Sequence, residues 1–427
     1  MSRQKTLNLR TTVGGQELFA RVAEYASDGT HIASSLVPAT QNMEGNVLFD
    51  TGNGYAWSSD VIESHVFHVP NPSGLEIDGR TYRTVKIGNR EWMAENLASD
   101  VAGGVWYDND ESHDADGYGK LYNYAEVAAL DVNGWHVPEA NTDAMELMLL
   151  SYYYDGIPHG ARLMSQTGWT AGGGTNELGF DAVGAGGSIS SPPEFSGAGN
   201  MAIFAATNSS DPGAFANLVL GYLAPGYPPI FSWGAASGAD ARVSVRLVKD
   251  YDGEDGVPDE PVVIDGKTYS TVRFGDDVWL AENLAMGDFG HWYYDSQESY
   301  GSYGKLYSHD ELSRINVDGW HLPTLEEMVN VMSRANFSMA KIKSVSGWTE
   351  GVPGDGTFGF NAMPAGQYVI GDNFYGMGVR ALFTGAPTVI DGITCFASMD
   401  IEYDHMYCTF SVDSQTSTSV RLVKNRS

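Results

Sequence analysis

Gly319-Trp320-His321-Leu322-Pro323-Thr324-Leu325-Glu326-Glu327-Met328 has an earlier counterpart in Gly134-Trp135-His136-Val137-Pro138, and the rest of the chain falls into register around the two copies. In the later copy Pro323 closes an extended segment. Thr324 with Glu327 then spells a capping box, in which each side chain satisfies a free amide at the start of a helix. Met328, Val331, Met332 and Ala335 recur at helical spacing, which predicts one stripe facing a core. The earlier copy carries two more residues before its helix, which moves the expected cap to Asn141 and the expected buried stripe to Met145, Met148, Leu149 and Tyr152.

Upstream, Ile77-Asp78-Gly79-Arg80-Thr81-Tyr82 matches Ile264-Asp265-Gly266-Lys267-Thr268-Tyr269, and an Asp-Gly pair between β-formers signals a hairpin. Trp92-Met93-Ala94-Glu95-Asn96-Leu97 and Tyr118-Gly119-Lys120-Leu121-Tyr122 match Trp279-Leu280-Ala281-Glu282-Asn283-Leu284 and Tyr303-Gly304-Lys305-Leu306-Tyr307. Ser308 with Glu311 and Asn123 with Glu126 spell further helix starts, and Gly134 and Gly319 stand where a left-handed helix stop favours glycine. Each repeat is thus expected to hold two short helices. Both repeats continue through Gly168-Trp169 or Gly347-Trp348 and Gly179-Phe180 or Gly359-Phe360, and finish on Ser244-Val245-Arg246-Leu247-Val248-Lys249 or Ser419-Val420-Arg421-Leu422-Val423-Lys424. The intervals from Gly179 to Ser244 and from Gly359 to Ser419 match least, which is where a binding surface is free to differ.

The ordered set WxAENL, YGKLY, GWHxP, GW, GF and SVRLVK resembles the Fibrobacter succinogenes major paralogous domain, a module of Bacteroidota and related bacteria. That resemblance implies the C-type-lectin-like fold shared with formylglycine-generating enzymes, in which terminal strands pair, two helices pack on the sheet and a long irregular region forms the working face. The expected fold class is therefore α+β: two tandem C-type-lectin-like domains, each of antiparallel sheets with two short helices, preceded by a small all-β N-terminal module. The expected divisions are 1–73 for that module, 75–250 and 262–427 for the two domains, and 251–261 for an acidic, self-repelling linker. Within 1–73, alternation at Leu7–Thr11, Glu17–Val22 and His65–Val69 reads as short strands, and the prolines and glycine of 70–74 mark a boundary.

Composition narrows the function. Of 427 residues, 54 are acidic and 24 basic, and a net charge of −30 repels phosphate backbones and anionic lipid heads. No nucleic-acid partner and no membrane insertion are expected. The only cysteines, Cys395 and Cys408, build no disulfide framework and have no histidine motif that would mark a nucleophile and base. With no GxSxG elbow and no HExxH, an enzyme is not expected. Met1-Ser2-Arg3-Gln4-Lys5-Thr6-Leu7 has no apolar run behind it, so it reads as neither a cleaved signal nor an anchor. C-type-lectin-like domains also occur on phage fibres and virion decorations, which need no secretion signal. The expectation is a virion protein made in the host cytoplasm, a homo-oligomer docked to other virion proteins through residues 1–73 and facing a host glycan or protein. A bacterial surface adhesin is the alternative.

Candidate ligand-binding residues are Asp372, Asn373, Phe374 and Tyr375 in the second repeat and Tyr222, Tyr227 and Trp233 in the first, because aromatic faces beside amides and carboxylates suit sugar rings. No cofactor is required. Calcium is the one candidate: Asp108, Asp110, Asp114 and Asp116 are dense in hard oxygen ligands, although they lack EF-hand spacing and the second copy has lost most of the acids. A solvated turn is the plain alternative. His136 and His321 are expected to be hydrogen-bonded strand-end histidines rather than metal ligands, and Trp92 and Trp279 to be core, with their Glu and Asn neighbours serving loop backbone.

Overall fold

A computed structural model describes residues 4–10, 18–25, 31–41, 47–49, 70–101, 103–151, 160–188, 194–207, 215–222, 229–234, 240–250, 255–369, 371, 373–390, 393–402, 405–412 and 416–425. It is rich in sheet and poor in helix, and its sheets are antiparallel or mixed. No described helix is long and apolar enough to cross a membrane. Near the N-terminus, Gln4–Arg10, Leu18–Tyr25, His31–Gln41 and Val47–Phe49 pair in that order as an antiparallel meander. Residues 7–10 and 18–22 of two expected strands lie within it, whereas Thr11, Glu17 and His65–Val69 fall outside the described residues.

Each repeat opens on a four-stranded antiparallel sheet of the same order. In the first, Pro70–Ile77, Arg80–Ile87, Arg90–Met93 and Val248–Asp250 lie side by side; in the second, Asp255–Ile264, Lys267–Phe274, Asp277–Leu280 and Val423–Asn425 do. The Asp-Gly pairs close their hairpins with both residues at positive φ, 53° and 76° at Asp78-Gly79 and 48° and 76° at Asp265-Gly266, the geometry whose twist suits a two-residue turn. The first and last strands share a sheet, as expected, but occupy its opposite edges, with the last pairing to the third. The expected linker 251–261 is also corrected, because from Asp255 onward it is an edge strand. Its prolines are tolerated there, where no second neighbour needs their missing amides, and its pairing slips between Asp259 and Val262.

The second sheet of each repeat is larger. In the first repeat, Ser196–Ala198, Ala185–Gly187, Met201–Thr207, Val243–Ser244, Lys120–Tyr122 and Val105–Trp106 follow one another, with Phe215–Gly221 and Ile230–Gly234 beyond Met201–Thr207. In the second, Asn373–Met377, Ala365–Val369, Ala381–Ile390, Ile393–Ile401 and Met406–Ser411 do so, with Thr416–Ser417 on Ala365–Val369. Among the described residues, no strand pairing joins the sheets of one repeat to those of the other.

The helix Leu325–Arg334 starts on the expected box, with Thr324 Oγ1 accepting from the Glu327 amide and the Glu327 carboxylate accepting from the Thr324 amide, and its expected stripe is buried. Its counterpart Asp143–Leu150 begins after Thr142, one residue later than expected and with no side-chain cap bond from it, and buries Ala144, Leu147 and Leu150. Met148 and Leu149 are only partly covered, and Tyr152 is outside the described residues. The face is turned because two acids take partners inside the protein: Asp143 meets His136, and Glu146 meets Arg90. Gly134 and Gly319 have the expected left-handed φ of 75° and 73°, but they close two-residue turns between bridged pairs, Val132 with Trp135 and Val317 with Trp320. The second repeat also has single-turn helices at Gln297–Tyr300 and Met339–Ile342, beyond the two expected.

The repeated motifs converge on one buried cation per repeat. Arg246 is 1% exposed; its Nε donates to Asn96 Oδ1 at 2.7 Å, and its terminal nitrogens donate to the carbonyls of Met93, Phe180 and Asp181. Arg421 repeats this with Asn283 Oδ1 at 3.0 Å and the carbonyls of Leu280, Phe360 and Asn361. Each guanidinium lies over the phenylalanine of the GF motif, 4.4 Å from the Phe180 centroid and 4.5 Å from that of Phe360. Burial pushes both arginines down to about 9, so they remain charged at neutral pH. The asparagine amides continue the network, Asn96 Nδ2 to Tyr118 O and Ser244 Oγ, and Asn283 Nδ2 to Tyr303 O and Ser419 Oγ. Replacing Arg421 by Lys leaves at least two buried acceptors without a planar donor fork. At about 1–3 kcal/mol per unsatisfied group, stability should fall by roughly 2–4 kcal/mol, read as a lower denaturant midpoint at unchanged slope.

Candidate recognition surface

Beside the buried knot, each repeat turns the chain through a strained corner. After Val105–Trp106, Tyr107 is buried and Asp108 takes φ 52°; after Trp292, Tyr293 is buried and Tyr294 takes φ 48°. In the first repeat the ring of Tyr107 meets Tyr118, His113 and Phe195 at 5.3 to 6.1 Å, and His113 stacks on Tyr118 at 5.2 Å. In the second repeat the corresponding cluster is larger and more open. Tyr293, Tyr294, Tyr300, Tyr368 and Phe374 touch edge-on or tilted at 4.8 to 6.1 Å, and His291 lies against Tyr368 at 4.3 Å. Tyr294 is 62% exposed.

The candidate ligand residues separate. Phe374 lies opposite Tyr368 in the hairpin of Ala365–Val369 and Asn373–Met377, and it joins the ring cluster. Asn373 and Tyr375 are both exposed, but strand alternation sends them to the other face, in register with Val369 and Gln367. Phe374 therefore does not share a face with Asn373 and Tyr375. Asp372 and Tyr227 lie outside the described residues, and Trp233 sits in Ile230–Gly234 opposite Leu218. Tyr222 is half-buried, with its hydroxyl donating to Gly172 O at 2.9 Å and its ring edge-on to Trp169, so it belongs to the packing of the first repeat. Residue-level reading missed Tyr293, Tyr294, Tyr300 and Tyr368. The available signal was the extra aromatic of Trp292-Tyr293-Tyr294-Asp295 against Trp106-Tyr107-Asp108-Asn109.

The four aspartates offered for calcium do not converge. Asp110 caps the next turn by accepting from Ser112 N, Asp114 takes Arg80 at 2.8 and 3.0 Å, and Asp116 faces His113 Nδ1 at 3.0 Å. Among the described residues, the one group of three potential ligands is elsewhere, at His136, Asp143 and Asp250. Arg90 enters that group, with Nε 2.5 Å from Asp143 and 3.4 Å from Asp250, so a cation already occupies the carboxylates. Cys395 and Cys408 are both buried and unpaired.

The two histidines have the expected hydrogen-bonded role. His136 Nε2 lies 3.1 Å from Asp143 Oδ2, and His321 Nε2 lies 2.9 Å from Glu327 Oε1. Each main chain also bridges to the last strand, His136 to Val248 and His321 to Val423. The hydrogen bond to the acid raises both imidazoles above the ordinary histidine value.

Residues 85–249 match the family model of the Fibrobacter succinogenes major domain. No match was found among curated proteins or among solved structures.

Because a raised folded pKa means that the folded state holds the proton more tightly, the two histidine pairs should stabilise fully below about pH 6.5. That contribution should fade as pH rises through the folded values. An NMR titration should place both imidazoles above 6.5, and replacing Asp143 by Asn should bring His136 back towards it.

Proposed function

We propose that this is a non-enzymatic recognition protein of a phage particle, a fibre or a capsid or tail decoration, in which two C-type-lectin-like domains face the host surface. The observation that carries the recognition role is the open aromatic cluster of the second repeat, where Tyr294 stands in solvent on a support of Tyr293, Tyr300 and Phe374. A surface of aromatic rings on a rigid sheet edge provides contact area at low entropic cost. The lectin-like reading is supported by the repeated layout, in which the last strand returns to the opening sheet and an irregular second sheet forms the other side. The N-terminal meander, whose strands pair with none in the repeats among the described residues, suits docking to other particle proteins and self-association. A binding rather than catalytic role is consistent with the buried cysteines, since burial pushes the Cys408 thiol up and away from a reactive thiolate.

Mass spectrometry of purified particles tests the setting: peptides from all three parts should be recovered. Absence from particles together with enrichment in a bacterial envelope fraction would instead assign the protein to the bacterial surface. The cluster is tested separately. Phe374→Ala should weaken competition by the purified chain against particle adsorption, at a stability cost of about 1–2 kcal/mol for the lost ring contacts. Tyr375→Ala, on the opposite face, should leave competition within about twofold of wild type.

A further inference from the structure

Tyr294 has a backbone conformation that its side chain disfavours. Among the described residues, the other non-glycine positions at positive φ are Asp or Asn, with Phe337 as the one further aromatic. Asp and Asn tolerate this region through local hydrogen bonds, whereas a bulky residue there is strained. Phe337 is partly buried against the main core, which offsets its strain. Tyr294 lies outside that core and is 62% exposed, and the matching corner of the first repeat carries Asp108 at nearly the same angles, φ 52° and ψ 17° against φ 48° and ψ 31°. Strain kept at an exposed side chain points to use of that side chain.

The surroundings limit what it contacts. Tyr294 is braced edge-on by Tyr293 at 4.8 Å and Phe374 at 5.3 Å, which leaves ring surface free to solvent. Asp295, 76% exposed at the side chain, is the next residue and lies 3.8 Å from His291 Nδ1. Asp295 is the charged group beside the exposed ring, and the nearby Lys305, over the Trp292 ring at 5.3 Å, is turned to the carbonyls of Gly287 and Phe289. In a chain of net charge −30, such a site opposes anionic ligands. An aromatic face stacks on the apolar C–H face of a sugar ring, and Asp295 can accept hydrogen bonds from hydroxyls at its edge.

Building on the recognition role proposed above, we infer that Tyr294 is the stacking residue of a binding site for neutral pyranose sugars, present in the second repeat and replaced by Asp108 in the first. The chain therefore presents one such site rather than two equivalent ones, and affinity on a particle comes from multiple chains.

The full chain, applied to an array of neutral, sialylated and sulfated oligosaccharides, provides the test. Wild type should bind neutral glycans. Tyr294→Asp and Tyr294→Gly should bind roughly tenfold more weakly or less, while melting close to the wild-type temperature because relief of the backbone strain offsets the lost ring contacts. Tyr294→Phe, which keeps the ring, should bind within about threefold of wild type and control for folding. Unchanged binding by the Asp and Gly variants would overturn the assignment of Tyr294, and binding confined to acidic glycans would overturn the ligand class. A wild-type chain that binds no arrayed glycan yet competes with particle adsorption would overturn the sugar assignment alone. Failure in both assays would overturn the recognition role as well.

Discussion

The structure of each repeat depends on a guanidinium that has been taken out of water without a carboxylate to receive it. A buried cation is tolerated only when its donors are met, and here carbonyls from two separated loops and one asparagine meet them, with an aromatic face closing one side. Neutral acceptors take every hydrogen bond named here, with the carboxylates of Asp181 and Glu95 or Glu282 acting only through space, so each acceptor must be held in place by its own segment. The segments that hold them are those repeated in the sequence: Asn96 and Asn283 from the Trp-containing loop, Phe180 and Phe360 from the Gly-Phe element, and the arginine from the segment that leads into the last strand. Close approach adds a second constraint. A side chain on Gly119 or Gly304 would run into the carbonyl of Leu97 or Cβ of Asn283 at 2.6 Å, at positive φ, which explains why the YGKLY element requires glycine.

What was legible in the sequence follows from this. The capping boxes, the Asp-Gly hairpins and the buried tryptophans rest on local chemistry or on repetition, and both can be read along a line of residues. The face of the helix Asp143–Leu150 was less legible, because an Asp and a Glu with partners more than fifty residues away, or behind a preceding strand, occupy positions that a hydrophobic count assigns to solvent. Edge strands rich in proline and acid, such as Asp255–Ile264, look like linkers until the neighbouring strand is known. The separation of Phe374 from Tyr375 is plain alternation, invisible only while the segment is read as a loop. The aromatic corner at Tyr294 was the least legible, since the φ that makes it unusual is a property of the folded backbone.

The two repeats do not merely follow one another. The helices Asp143–Leu150 and Leu325–Arg334 pack together, and buried side chains from both belong to one apolar cluster. Polar contacts lock this joint: Asn89 Nδ2 donates to Asn330 O at 2.9 Å, and Arg90 reaches both Glu146 of its own repeat and Ser333 Oγ of the other. Removing one partner of such a buried group strands the rest, so the joint tolerates little local change.

That joint is also unequal. The register of the last strands places Arg90 opposite Asp250 and Asp277 opposite Asn425, so the second repeat carries an acid where the first carries the locking cation. The two repeats therefore meet as unlike halves, with the cation that locks them supplied from the first alone at that strand position.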